Sequence, residues 1–302
     1  MDRNEKGTRP YLQVIQPFLL VLVLLTYFIG PGLIHYQGGT VNWPNIFLGS
    51  LLGLFLLLVK EYLSAYFDHP DSPVSTLHRE DPLFFLYQKL DRRTLLAFSL
   101  TFLTAGALTT VLIITRNNLS LPSFLLLCIA FLGTFFSGMP SYKLGKNGYG
   151  DIFEAVLICN LVPALGYLMN DNSLHILLVM LTIPMTLVYL AYKIVHSLES
   201  YSFDSTHGYR SLAVRLDWKR AMVVHNYLIL IAFLFLGIFP LLGQPWSITW
   251  PVLLTIPVGV FQVVQMLELL SGGPTRWKLL KLTASGMIVV MAYLIALTLW
   301  IR

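Results

Sequence analysis

Residues 174–195 read LHILLVMLTIPMTLVYLAYKIV, and residues 196–217 then read HSLESYSFDSTHGYRSLAVRLD. The first segment is long and apolar enough to cross a bilayer as a helix. The second places histidine, carboxylate and arginine side chains directly behind it, which predicts ionic chemistry at a membrane edge. Of all residues, 56% are hydrophobic and 12% are charged, whereas about a quarter of the residues in soluble domains are charged. We therefore predict a polytopic membrane protein.

Apolar runs near the length of a transmembrane helix recur along the whole chain. They are too long and too uniformly apolar to be the alternating strands of a membrane barrel. We predict an all-α bundle of nine transmembrane helices, and prolines within or beside the spans predict local kinks: Pro17, Pro31, Pro163, Pro184, Pro240 and Pro257. The predicted spans are 11–35, 43–66, 94–115, 121–138, 150–169, 174–195, 221–242, 247–270 and 279–301.

The cysteines, the residues before the first apolar run and the lack of repeats are all consistent with a single helical domain. Cys128 and Cys159 lie inside apolar spans and are interpreted as small core hydrophobes. The polar and basic residues 1–10 precede a run that lacks the cleavage site of a signal peptide, so this run is expected to remain as the first helix. We find no tandem repeat or long linker, so a single domain over residues 1–302 is expected.

Basic residues fix the predicted orientation. With nine spans, every Lys and Arg except Arg116 and Arg302 falls on one side or at the adjoining helix ends. The positive-inside rule makes that side cytoplasmic. We predict an integral protein of the cell (inner) membrane with a cytoplasmic N-terminus, a site that opens to the cytoplasm, and no nucleic-acid partner. The predicted cytoplasmic connections after the N-terminus are 67–93, 139–149, 196–220 and 271–278.

Two of these connections begin at helix ends that each carry a polar stripe. Glu61, Ala65 and Asp68 are spaced i, i+4 and i+7. Residues at i, i+4 and i+8 form the second stripe: His196, Ser200 and Asp204. Two facing carboxylate-bearing helix ends with basic residues nearby are suited to Mg²⁺ that bridges a diphosphate. The alternative is that each is a solvated helix end at the membrane interface.

Several motifs carry a resemblance to a known family. Arg9-Pro10 precedes the first span, and Gly208-Tyr209-Arg210-Ser211-Leu212-Ala213-Val214-Arg215-Leu216 follows the sixth. Both resemble the UbiA-type membrane prenyltransferases, whose nine-helix members have Arg-Pro and Gly-Lys-Arg-Thr-Leu-x-Val-Arg-Leu at these places. Residues 140–152, PSYKLGKNGYGDI, are most similar to the branch that prenylates 1,4-dihydroxy-2-naphthoate in menaquinone synthesis. The resemblance covers almost the whole chain.

The resemblance implies Mg²⁺ as the cofactor and two aspartate-rich motifs, Asn-Asp-x-x-Asp-x-x-x-Asp and Asp-x-x-x-Asp. Asp68 and Asp204 keep one aspartate of each motif and are the implied catalytic residues. The other motif positions are replaced, by Ser64, Ala65, Ser72 and Ser200, and Tyr209 replaces the lysine of Gly-Lys. The implied metal ligands are Asp68, Asp71, Asp204, Glu61 and Glu199, with His196 as a further substitute. The implied diphosphate-binding residues are Lys143, Lys146, Arg210 and Arg79.

The implied reaction moves an isoprenoid chain from a prenyl diphosphate to an aromatic quinone precursor within membrane lipid. Aromatic rings near the site could steady a developing carbocation, or they could simply pack: Phe84, Phe85, Phe135, Phe136, Tyr142 and Tyr149. Polar residues inside other spans are expected to face the bundle interior or the interface: Glu154, Asn160, Gln262, Gln265 and Glu268.

Two other functions stay open at this point. A relative that has lost catalysis could bind isoprenoid or quinone lipids, or a membrane partner, and the replaced motif positions favour this alternative. A transporter is the third possibility. Transport is disfavoured because the acids gather at one face instead of the midplane, and because no half-repeat is visible in the sequence.

Overall fold

The computed structural model describes residues 14–72, 82–116, 120–138, 148–171, 173–206 and 210–301. Within these ranges every regular element is a helix, which confirms the predicted all-α class. The helices are α1 (Pro17–Tyr36), α2 (Trp43–Asp68), α3 (Pro82–Gln88), α4 (Arg92–Arg116), α5 (Leu121–Gly138), α6 (Tyr149–Val156), α7 (Val162–Leu168), α8 (Ile176–Glu199), α9 (Tyr201–Thr206), α10 (Leu212–Leu216), α11 (Trp218–Ile238), α12 (Trp246–Leu253), α13 (Ile256–Leu270) and α14 (Trp277–Ile301).

Eight helical segments of the described chain are long and apolar enough to cross a membrane, and a bent pair brings the number to nine if it forms one span. That pair is α12 and α13, which meet at 43°. Pro257 stands in the first turn of α13, where its missing N–H costs nothing, so the break falls where the sequence predicts a kink. The first described helix begins at Pro17, with proline again in its first turn, so the described residues 14–16 of the predicted span 11–35 precede it.

The fifth span is a composite of α6, a π-helical turn at Leu157–Leu161, and α7. Pro163 lies in the first turn of α7 and has no N–H to donate back into the preceding turn. Wide π turns inside helices occur mostly as single turns and often near functional sites. This turn separates Glu154, on α6, from the tightly packed α7.

The buried core lies around α8, which packs against α11, α14 and α6, while α1 packs against α14, α7 and α2. The crossing of α1 and α7 is very close because Gly30 and Gly166 have no side chains there. A Cβ atom on Gly30 would lie 2.2 Å from the carbonyl oxygen of Pro163. This contact fixes the fifth span against the first.

A smaller apolar cluster packs the final turns of α2 against α3 and α4. Ala65 lies in it with no exposed surface. The other fully packed members are Val14, Tyr62, Tyr87, Leu90 and Leu95. We call the end of the bundle where α2 and α8 finish, at Asp68 and Glu199, the motif end.

Candidate active site

Asp68 and Asp204 both lie at the motif end, each with a serine one helical turn earlier. The Ser200 hydroxyl donates to an oxygen of Asp204 at 2.9 Å, and the Ser64 hydroxyl makes a longer contact of 3.4 Å with Asp68. Both aspartates are half-buried. Ser64 and Ser200 are therefore local partners of Asp68 and Asp204.

A group of buried charges lies deeper in the bundle than these aspartates. The Lys60 ammonium on α2 donates to Glu154 on α6 at 2.7 Å and to Glu61 at 3.2 Å. The side chains of Lys60 and Glu154 are 15% and 11% exposed. Ion pairs this buried are stable only when their remaining hydrogen-bonding capacity is satisfied.

The same Glu154 carboxylate also receives donors from α8. The Tyr189 hydroxyl donates to it at 2.5 Å, and the Lys193 ammonium lies 3.4 Å from the same oxygen. Lys193 also pairs with Asp151 at 3.1 Å, in the first turn of α6. Glu154 thus joins α2 to α8. We call this set the Glu154 cluster: Lys60, Glu61, Asp151, Glu154, Tyr189 and Lys193.

Helical spacing places the cluster directly below the aspartates. On α2, Lys60, Ser64 and Asp68 follow one another at intervals of four residues and share one face. At a rise of 1.5 Å per residue, Lys60 lies about 12 Å deeper than Asp68. On α8, Lys193 is two turns before Ser200. Two polar columns therefore run from the motif end into the bundle and meet at Glu154.

A small apolar pocket begins one helical turn below the cluster. Leu56 and Leu57 line it one turn from Lys60, and Leu157 and Ile158 line it one turn from Glu154. The remaining lining residues are Val23, Gly53, Ala130, Leu161, Val162 and Leu165.

His69 fixes the chain just after Asp68. Its Nδ1 accepts from the backbone N–H of Asp71 at 3.1 Å, so the ring proton is on Nε2, which donates to the carbonyl of Leu90 at 3.0 Å. The Asp71 carboxylate lies 3.7 Å from the same Nδ1, and its side chain is 85% exposed. The end of α2 is thereby tied to Leu90, two residues after α3.

Arg92, at the start of α4, packs beside the same helix end. Its guanidinium lies 4.4 Å from the centre of the Tyr66 ring, and one of its terminal nitrogens is 3.4 Å from the Ser72 hydroxyl. A cation stacked on a ring face is favourable, more so when both are partly desolvated. Arg92 was not predicted as a site residue.

Two other predicted ligands have partners of their own. Glu199 binds Lys281 of α14 at 2.5 Å, and its side chain is 40% exposed. His196 packs against the Tyr192 ring with the ring planes tilted by 56° and 4.5 Å between ring centres. Glu199 therefore holds α8 to α14 in the described structure.

The segment after α9 docks on the start of α6. Gly148 has φ +71°, a conformation that glycine adopts without strain, and an added Cβ would lie 2.9 Å from the side chain of Arg215. The Arg215 guanidinium lies 4.0 Å from the centre of the Tyr149 ring. Arg210 is described and exposed. The other predicted diphosphate ligands, Lys143, Lys146 and Arg79, lie outside the described residues, as does Tyr142.

The remaining predicted aromatic and polar residues take local positions. Phe84 contacts Phe85 on α3, and Phe135 contacts Phe136 on α5. The polar residues of the spans lie partly inside the bundle and partly at its surface. Asn160 donates to Thr186 at 2.6 Å, and Gln265 accepts from Thr283 at 3.5 Å. Gln262 is fully buried, whereas Glu268 is exposed.

The donor set can be tested against the geometry that Mg²⁺ requires. Mg²⁺ binds oxygen ligands in near-octahedral geometry at about 2.0 to 2.1 Å. Within the described ranges, no three His, Cys, Asp or Glu side chains gather closely enough to hold a metal ion. Glu61 is paired to Lys60, and Ala65 is packed in an apolar cluster. The described carboxylates do not by themselves form a magnesium site.

Sequence reasoning placed candidate residues at the helix ends but did not single out the buried cluster around Glu154. Glu154 was predicted only to face the interior or the interface, and three of its partners were not singled out: Lys60, Tyr189 and Lys193. One signal was present, since an adjacent Lys60 and Glu61 interrupt an otherwise apolar run. Charged residues inside a membrane span almost always pair or line a functional cavity.

Comparisons with known proteins agree with this architecture. The sequence model of the UbiA prenyltransferase family matches residues 23–285. Individually curated protein sequences give no match. A structure described as a UbiA homolog from Archaeoglobus fulgidus bound to GPP and Mg²⁺ is 15% identical, with a TM-score of 0.61 over 95% of this chain and 99% of that one.

Two further solved structures share the fold. The apo structure of a UbiA homolog from Aeropyrum pernix K1 has a TM-score of 0.63 at 12% identity and covers 94% of this chain and 98% of that one. A digeranylgeranylglyceryl phosphate synthase has a TM-score of 0.59 at 16% identity, covering 97% of both chains. These likenesses extend over nearly the full length of the bundle.

Proposed function

Because the chain belongs to the UbiA prenyltransferase family, we propose that it transfers an isoprenoid chain from a prenyl diphosphate to an aromatic quinone precursor. The proposed acceptor is of the 1,4-dihydroxy-2-naphthoate type, from the resemblance of residues 140–152. The observation that carries the proposal is the column from Asp68 and Asp204, through the Glu154 cluster, to the apolar pocket. Such a column suits a molecule with an anionic head and an apolar tail.

In the proposed reaction, the bond between C1 of the prenyl group and the diphosphate oxygen breaks, and both electrons leave with the diphosphate. A ring carbon of the acceptor forms a bond to C1, and the ring then gives up a proton. Side chains placed in advance around the leaving group lower the barrier by stabilising its developing charge. The proposed contacts to the diphosphate are Arg210, Lys143, Lys146 and Arg79.

Residues at the motif end are proposed to face the cytoplasm of the cell membrane, since nearly all basic residues gather there. The chain is proposed to act as a single domain over residues 1–302. Mg²⁺ remains a prediction from the resemblance, because the described carboxylates do not form a site for it.

The test measures prenyl diphosphate consumption and product formation by the purified protein in lipid nanodiscs, with Mg²⁺ and candidate aromatic acceptors supplied. Asp68→Ala should lower turnover by at least about tenfold if Asp68 acts on the reacting groups. Asp171→Ala, at the opposite end of the bundle, is the matched control and should keep wild-type turnover. Equal turnover in wild type and Asp68→Ala would refute the assignment of Asp68.

A second function is favoured by a specific observation at the motif positions. Ala65 is packed in an apolar cluster, and Ser200 stands where the second motif has its first aspartate. Both features suit a protein that binds isoprenoid diphosphates or quinone lipids without transferring the chain. Saturable binding with no product from chains of several lengths, beside an active family member as control, would support this function over transfer.

A further inference from the structure

We propose that Lys60 and Lys193 form a two-ammonium site that binds the diphosphate of the substrate without a metal ion. The inference rests on the proposed substrate class, a prenyl diphosphate, and it adds two buried side chains to the contacts proposed above for its head. It follows because the described carboxylates do not gather in the arrangement that Mg²⁺ requires. The cations in this part of the bundle are supplied by the protein itself.

Each ammonium keeps hydrogen-bonding capacity for a ligand. A lysine ammonium has three N–H donors. Among the described residues, Lys60 has two acceptors, Glu61 and Glu154, and Lys193 also has two, Asp151 and Glu154. The lysine side chains are 15% and 21% exposed, so a ligand can reach them. One donor on each side chain is open to an incoming phosphate oxygen.

The two ammoniums are also close enough to act on one ligand. Both contact the single Glu154 carboxylate, Lys60 through Oε2 at 2.7 Å and Lys193 through Oε1 at 3.4 Å. A diphosphate presents oxygens on two adjacent phosphorus atoms, so it can span two cations that one carboxylate already spans. Lysine binds phosphate as a point charge and does not need the strict geometry of Mg²⁺.

Glu154 is then the anion that the diphosphate must compete with. The cluster holds three carboxylates and two ammoniums, so it carries one excess negative charge. A diphosphate binds by drawing the lysines away from Glu154. The Tyr189 hydroxyl continues to donate to Glu154 at 2.5 Å, which leaves the displaced carboxylate hydrogen-bonded. Removing the charge of Glu154 should therefore strengthen diphosphate binding.

The apolar pocket supports the same placement independently. It begins one turn below both Lys60 and Glu154, at Leu56 and Leu157. A prenyl diphosphate whose head lies on the ammoniums would thus have its tail at the pocket entrance. A free inorganic diphosphate would make the polar contacts alone and should bind more weakly.

The experiment measures geranyl diphosphate binding to the full chain in nanodiscs by calorimetry, once in EDTA and once in excess Mg²⁺. We expect the affinity in EDTA to stay within about tenfold of that in Mg²⁺. Lys60→Met should weaken binding in EDTA by about tenfold to a hundredfold, the loss expected for one charge-assisted hydrogen bond. Lys278→Met removes an exposed lysine as the matched control and should bind like wild type.

The outcomes separate this inference from the proposed function. Binding that occurs in Mg²⁺ and disappears in EDTA overturns the two-ammonium site and leaves the proposed function standing. Absence of binding in both conditions overturns the proposed function. Glu154→Gln, with its fold checked by thermal unfolding, should bind more tightly in EDTA; equal or weaker binding contradicts the competition. The wild-type comparison tests metal-free binding even if a variant fails to fold, and a folded Lys60→Met protein with wild-type affinity in EDTA overturns the two-ammonium site.

Discussion

Replacing Gly30 with alanine tests the helix crossing that holds the fifth span, which carries Glu154. A Cβ on Gly30 would lie 2.2 Å from the carbonyl oxygen of Pro163 and 2.4 Å from the backbone nitrogen of Tyr167. Ordinary contact begins at 3.4 Å, so the shortfall at Pro163 is 3.4 minus 2.2, or 1.2 Å. Both opposing atoms belong to the backbone, so no side-chain rotation can relieve the overlap.

The magnitude follows from that shortfall. The helices α1 and α7 must separate by about 1 Å, and overpacking of this kind costs about 1 to 3 kcal/mol. The upper end applies because Gly166 makes a second close contact at the same crossing, where an added Cβ would lie 2.7 Å from the carbonyl oxygen of Tyr27. We expect Gly30→Ala to lower the free energy of unfolding by about 3 kcal/mol.

Gly286→Ala is the matched control. Gly286 lies inside α14, and no described atom outside its own helical surroundings is within 4 Å of an added Cβ. In a helix interior, alanine is more favourable than glycine by about 0.5 to 1 kcal/mol. The same chemical change should thus destabilise the protein at one site and leave it unchanged or more stable at the other.

The assay is a denaturant titration of both variants in mixed micelles, which gives their free energies of unfolding. A Gly30→Ala protein as stable as wild type would refute the close crossing. An equal loss in both variants would show that glycine flexibility, and not the contact with α7, is what matters.

Three more substitutions have defined outcomes in the same unfolding assay. Asp217 has φ +71° and ψ 150°, where glycine is favoured, so Asp217→Gly should be more stable than Asp217→Ala by about 1 to 2 kcal/mol; equal stability would contradict the strain. Tyr189→Phe removes the donor to Glu154 and should cost about 1 to 3 kcal/mol, whereas Tyr227→Phe, at an exposed ring, should cost little. Gly148→Ala should cost about 1 to 2 kcal/mol, because alanine is strained at its φ of +71°, and a neutral effect would argue against that backbone conformation.

The spans were predictable because the signal that defines them is local. A run of about 20 apolar residues identifies a membrane helix without any knowledge of its neighbours. Proline placement was equally informative at α13, where Pro257 marks the bend of 43°. In the first span the described residues 14–16 were predicted as helical but precede the helix at Pro17, since an apolar run does not mark where a helix begins.

The site was harder to predict because its contacts join distant parts of the chain. Helical spacing placed Asp68 and Asp204 on polar stripes, and in the structure each contacts the serine four residues before it, although the second stripe is divided between α8 and α9. Nothing local in the sequence says that Glu154 meets Lys60 across 94 residues, or Lys193 across 39. Those contacts depend on how the three helices pack.

Packing gives the apolar residue 65 a physical meaning. Ala65 lies in an apolar cluster with no exposed surface, so a carboxylate at that position would be buried without a described polar partner. One turn earlier, the Glu61 carboxylate pairs with the Lys60 ammonium at 3.2 Å. The apolar residue 65 and the charged Glu154 cluster are therefore consistent with each other. The buried charges lie deeper in the bundle, between α2, α6 and α8, where lysines accompany the carboxylates.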